Sequence, residues 1–169
     1  MPANTQHIIV SQTIHLAAPS RQVFPLFEPL GEKAWAAGWE PHILYPADGT
    51  AEAGAIFTTS HPPEGESIWA MTAHDPAALH LAYLRVTPGV QVAFIEVRCE
   101  DLHDGTTRAT VSYTFTGLSA AGNEKLTQLA THHQQDIATW EQAINFYLAH
   151  GHALPQHHQG LDPERRAVL

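Results

Sequence analysis

From His7 to Leu16 the chain is rich in Ile and Val, and that pattern predicts a first β-strand ending at Ala17-Ala18-Pro19-Ser20. Pro19 suits the first turn of a helix, where a missing N–H costs nothing. Val23, Phe24 and Phe27 then follow at helical spacing, while Pro25 and Pro29 keep any helix short or broken. Glu32 to Ala37 predicts a second helical turn or two before Gly38.

Beyond His42 the pattern changes to short β-type runs divided by turn residues. Ile43–Tyr45 ends at Pro46 and Asp48-Gly49, Ala55–Ser60 at Pro62-Pro63, and Ser67–Ala73 at Asp75-Pro76. Leu79–Val86 ends at Pro88-Gly89, Val90–Glu100 at Asp104-Gly105, and Thr107–Thr116 at Gly117. The last run alternates, with Ala109, Val111, Tyr113 and Phe115 on one face against Arg108, Thr110, Ser112 and Thr114 on the other. One covered and one wet face is what a single antiparallel sheet packed on a helix requires. The predicted cover is the longest periodic segment, from Asn123 as N-cap to Gly151 as C′ residue, with no proline or glycine between. Leu126, Ala130, His133, Ile137, Trp140, Ile144 and Tyr147 form one stripe along it, and Gln128, Gln135, Asp136 and Gln142 fall mostly off it.

These elements predict an α+β fold: a curved seven-stranded antiparallel sheet around a long C-terminal helix, with two short helices after the first strand. Residues 1–150 are expected to form one domain, followed by a polar, loosely ordered tail from 151 to 169.

Composition narrows the function. The chain has 169 residues, and Lys and Arg total 8 against 17 for Asp and Glu, a net charge of -9. Phosphate backbones and anionic membranes need a basic face, so nucleic acid is not an expected partner, nor is membrane adsorption. No run approaches the ~18 apolar residues of a membrane span, and the N-terminus lacks the basic-then-apolar pattern of a secretory signal. A cytoplasmic protein is the expectation. Cys99 is the only cysteine, which excludes an intramolecular disulfide and any zinc site with two thiolates. The 13 histidines include the adjacent pairs His132-His133 and His157-His158, but none of the HExxH type or at chelating i, i+4 spacing in those pairs. No metal or other cofactor is expected.

The order strand, short helices, six strands, long helix resembles the Bet v 1-like/START superfamily. Local runs sharpen the likeness to its bacterial polyketide cyclase/dehydrase-like branch: Val23-Phe24-Pro25-Leu26-Phe27, Pro29-Leu30-Gly31-Glu32, and Gly38-Trp39-Glu40-Pro41. Gly54-Ala55-Ile56-Phe57, Arg85-Val86-Thr87-Pro88-Gly89 and Tyr113-Thr114-Phe115-Thr116 complete it, with Trp35, Trp69 and Trp140. The resemblance covers about His7 to Ala149 and implies a cavity between sheet and helix for a small hydrophobic ligand. It says little about chemistry, since a fold hosts many functions.

The expected lining comprises Phe57, Trp69, Tyr83 and Arg85 from the middle strands, with Tyr113 and Phe115 from the last. Ala130, His133, Ile137 and Trp140 face them from the helix. His133, in an apolar stripe, could hydrogen-bond or protonate a ligand, or equally be a core histidine satisfied by a carbonyl or tyrosine hydroxyl. Tyr113 and Tyr83 could offer hydroxyls, or simply pack. Arg85 could meet an anionic group, or sit solvated at a strand end. Of the tryptophans, Trp140 suits a core anchor with Trp69 beneath it, Trp35 and Trp39 suit fixing the early loop, and one of Trp35, Trp39 and Trp69 suits ligand contact. Cys99 has no basic neighbour in sequence to activate it, and His74-Asp75 is no dyad, because adjacent strand residues face opposite sides. Binding of an apolar or aromatic ligand leads. An aromatase/cyclase-type enzyme using His133, Tyr113 or Arg85 is the first alternative. An interaction module like the Hsp90 ATPase activators, which an exposed apolar patch would favour, is the second.

Overall fold

The computed structural model describes residues 4–62 and 65–155. Strand β1 spans His7–Leu16, followed by a four-residue helix α1, Ser20–Val23, and two 3₁₀ turns, Phe24–Phe27 and Gly31–Ala34. Six strands come next: β2 His42–Tyr45, β3 Ile56–His61, β4 Gly65–Asp75, β5 His80–Thr87, β6 Gln91–Asp101 and β7 Thr107–Gly117. Helix α2, Ala120–His150, completes the order. The strands form one antiparallel sheet ordered β1-β7-β6-β5-β4-β3-β2, a meander whose last strand returns to pair with the first. Seven strands and a long terminal helix are as the alternation predicts. The two short helices shrink to α1 and the 3₁₀ turns, because Pro25 and Pro29 leave no room for a longer i→i+4 ladder.

Two expectations about α2 are corrected. Its N-cap is Ser119, whose hydroxyl accepts from the Gly122 N–H at 3.0 Å, so the helix starts three residues before Asn123. Asn123 instead ties the helix to the chain before β1: its Oδ1 accepts from Gln6 N–H and its Nδ2 donates to Asn4 O, each at 3.0 Å. Further along, Glu141 accepts from His15 N–H at 2.7 Å, and Asn145 both accepts from Ala17 N–H and donates to His15 O. Polar groups of α2 thus cover the free edge of β1, which would otherwise present open backbone donors and acceptors. Asp136, expected off the stripe, is buried, since it lies three residues from His133 and four from Trp140. At the other end Gly151 takes the left-handed conformation (φ 78°) and donates to Tyr147 O, as predicted. The expected tail falls mostly at 156–169, outside the described residues.

The face turned to α2 carries the core, including Phe57, Trp69, Tyr83, Ile95, Val111 and Phe115. The opposite face is not uniformly polar. The cross-strand row Ile9, Thr114, Phe94, Leu84, Ala70, Ile56 and Tyr45 is mostly apolar, and Ile9, Phe94 and Tyr45 in it are exposed.

One glycine fixes how the 3₁₀ turns stack. A Cβ on Gly31 would sit 1.8 Å from Pro25 O, a backbone atom that cannot swing aside. Gly31→Ala is expected to destabilise by about 1–3 kcal/mol through forced separation of the turns. Helix propensity alone would predict a gain of up to about 1 kcal/mol. Urea midpoints decide, and an unchanged or raised midpoint would show that the turns tolerate separation.

Candidate functional site

The sheet brings most of the sequence-predicted residues together in two adjacent rows. Direct cross-strand partners run Phe57–Trp69–Arg85–Ala93–Phe115 in one row and Met71–Tyr83–Ile95–Tyr113 in the next. Phe57 stacks on Trp69 with centroids 5.3 Å apart, and Tyr83 meets both edge-on at 5.9–6.0 Å. Tyr113 stacks on Phe115 at 5.1 Å. Such pairs add modestly to the energy of burial and fix the rings' orientation. Arg85 lies between Trp69 and the small Ala93, its guanidinium carbon 5.1 Å from the Trp69 ring centroid. It is inside the row rather than solvated at a strand end, and desolvation lowers its pKa from 12.5.

Helix α2 packs over the β7 end of these rows. His133 is buried, meets Tyr113 edge-on at 5.4 Å, and has no hydrogen-bond partner for Nε2 among the described residues. Burial lowers its pKa from 6.5, which holds the ring neutral near pH 7. Trp140 packs on Trp35 at 5.8 Å and Tyr113 at 6.5 Å, and Ile137 is buried beside them in sequence. Ala130 is half-buried, nearer the rim. Trp69 belongs to a cluster with Phe57, Trp39 and Tyr83.

The early loop is locked by three side-chain donors on successive stretches of its backbone. Trp35 Nε1 donates to Leu26 O (2.8 Å), Tyr83 Oη to Phe27 O (2.8 Å) and Trp39 Nε1 to Pro29 O (2.6 Å). The Tyr83 hydroxyl is thereby engaged with the protein's own backbone.

The locked loop carries the residue that the sequence reading missed. Glu32, in the second 3₁₀ turn, is fully buried, and neither carboxyl oxygen has a hydrogen-bond partner among the described residues. Burial alone pushes its carboxyl well above the usual 4.5. Tyr83 and Tyr113 are raised chiefly by their own burial, and the Glu32 charge adds to both, so all three groups share one interior. The available signal was spacing: in a 3₁₀ turn residues i and i+3 eclipse, which sets Glu32 on the side of Trp35. Elsewhere, burial raises the Cys99 thiol to about 12, leaving it unreactive near neutral pH, and His74 pairs with Glu28 (2.9 Å) rather than Asp75.

No protein-family model and no curated protein matches the sequence. Solved structures do match the fold. Norcoclaurine synthase from Thalictrum flavum is 12% identical, with 86% of this chain and 88% of that one covered at a TM-score of 0.64. Zhui aromatase/cyclase from Streptomyces sp. R1128 is 15% identical, with 85% and 94% covered at 0.60. Ara h 8.0201 is also 15% identical, with 85% and 99% covered at 0.59. Identities this low carry architecture and not activity. With its seven-stranded meander closed by one long C-terminal helix, aligned over most of each neighbour, this chain has the Bet v 1-like helix-grip fold.

Proposed function

We propose that the chain binds one small, largely apolar molecule with a planar or aromatic body between the inner face of the sheet and α2. The observation that carries this reading is the row Phe57–Trp69–Arg85–Ala93–Phe115. Small-molecule sites combine aromatic walls with a few polar groups that fix orientation, and a guanidinium within an aromatic row has that character. Arg85 anchors an oxygen of the ligand, the rings stack on its body, and His133 and Tyr113 border it from helix and strand. The reading needs no cofactor. A structural neighbour, norcoclaurine synthase, is known in complex with dopamine and hydroxybenzaldehyde, both aromatic, which supports a ligand of that shape class.

An environment-sensitive dye such as anilinonaphthalene sulfonate should bind the native protein at about one per chain. Ala130→Trp, a half-buried position one turn before His133, should lower that affinity at least tenfold while the circular dichroism spectrum is unchanged. Binding indifferent to this substitution would place the dye elsewhere and remove the support.

The enzymatic alternative, of aromatase/cyclase type, gains from one observation: Glu32, Tyr113, Arg85 and His133 all have protonation equilibria displaced by burial in the same interior. Such clustering is common at catalytic sites and also at buried structural networks.

A further inference from the structure

We propose that Glu32 is a ligand-recognition residue that, as a neutral carboxylic acid, donates a hydrogen bond to a carbonyl oxygen on the bound molecule. The inference rests on the binding reading above and adds the chemical class: an aryl ketone, aldehyde or quinone-like compound rather than a plain hydrocarbon or an amine.

A glutamate is seldom buried without a partner, because its polar atoms then lose water and receive nothing. Here the backbone forces the placement. Gly31 lets the second 3₁₀ turn sit against Pro25 O, and the Trp35, Trp39 and Tyr83 donors hold Leu26, Pro29 and Phe27 in place. These contacts hold the turn against the core, and in it the Glu32 side chain is fully buried. A rigid turn that holds an unsatisfied polar group inside an aromatic wall is costly for the empty protein, and a ligand that satisfies the group recovers that cost.

Charge decides which ligand atom fits. The other ionisable groups of this interior are Glu28 on the loop, Tyr83 and Arg85 on β5, Tyr113 on β7, and Asp136 and His133 on α2. Arg85 and Asp136 act on Tyr113 with opposite signs, while among the described residues burial is the one cause acting on the Glu32 carboxyl. Burial favours the protonated carboxyl, which has an O–H to give. Its complement is an acceptor oxygen. Tyr83 cannot compete for the role, since its hydroxyl is already donated to Phe27 O.

The test uses displacement of the bound dye by naphthyl methyl ketone and by ethylnaphthalene, which has the same carbon skeleton without the carbonyl. Wild type should prefer the ketone by about tenfold, the scale of one net hydrogen bond. That preference should fade as pH rises through the raised Glu32 pKa. Glu32→Met should lose most of that preference and all of its pH dependence, keeping only what Arg85 contributes to the carbonyl. Glu32→Gln, whose amide also donates, should keep the preference and lose its pH dependence. Equal displacement by both compounds in wild type would overturn the role of Glu32 while leaving the binding site standing. So would an unchanged pH dependence in Glu32→Gln. Failure of both compounds to displace the dye would remove the binding reading itself, and this inference with it.

Discussion

Trp140→Ala will lower the unfolding free energy by about 3–5 kcal/mol, toward the upper end of that range. The indole is buried between Trp35 and Tyr113, so truncation removes contacts on two sides. What keeps the penalty high is that neither neighbour can move in. Trp35 is tethered through Nε1 to Leu26 O, and Tyr113 is stacked on Phe115 in a strand paired on both edges. A void whose walls cannot collapse costs more than the transfer energy of the missing atoms. Trp140→Phe retains a ring against both neighbours and should cost less than half as much. A urea midpoint unchanged by Trp140→Ala would mean that the indole contributes no packing and that α2 is held to the sheet chiefly through Asn123, Glu141 and Asn145.

The strands were legible because their inner positions are filled at a period of two by residues that have one job. β1 is found at its predicted limits, and the other six within about two residues. The long helix was legible along its body and at its C-terminus, where Gly151 has the expected left-handed backbone. Its N-terminus was not, for a physical reason. Gly122 looks like a helix breaker, yet it is required because a Cβ there would meet Val90 O at 2.0 Å. A close approach between distant segments leaves no trace in local pattern. The candidate site divides in the same way. Parity along β5 and β7 placed Tyr83, Arg85, Tyr113 and Phe115 on the inner face, and helical spacing placed His133 and Trp140 opposite. Glu32 was missed because its run, Gly31-Glu32-Lys33, is polar and offers only the single i, i+3 relation to Trp35. Its burial is imposed from outside the run, by two tryptophans further along the chain and by a tyrosine on β5. The exposed row through Phe94 was hidden for another reason: Ile9, Phe94 and Tyr45 lie on different strands and fall in one cross-strand row only through register.

The opposite sign is expected at Glu32: Glu32→Met will raise stability, by about 1–3 kcal/mol, the desolvation cost of a buried polar group left unsatisfied. Met has a similar length and a flexible thioether, so it can occupy the same space without overpacking the turn. The gain must depend on pH in a defined direction. In the folded chain burial raises the Glu32 pKa, while in the unfolded chain it stays near 4.5. Below that value both states hold the proton, and wild type carries no titration penalty. As pH rises, the unfolded state gives up its proton first, so folding becomes less favourable until the folded carboxyl ionises too. The stability difference between Glu32→Met and wild type should therefore widen from about pH 4.5 upward and level off above the folded pKa. Taking the difference removes the contributions of Asp48, Asp101 and Asp104, whose pKa values are lowered and whose stability falls away in acid in both proteins. Parallel curves for the two proteins would mean that Glu32 titrates alike folded and unfolded, with its carboxyl in water. A residue whose removal stabilises the fold, in a turn built to keep it inside, is one whose retention is better explained by what it binds than by what it holds together.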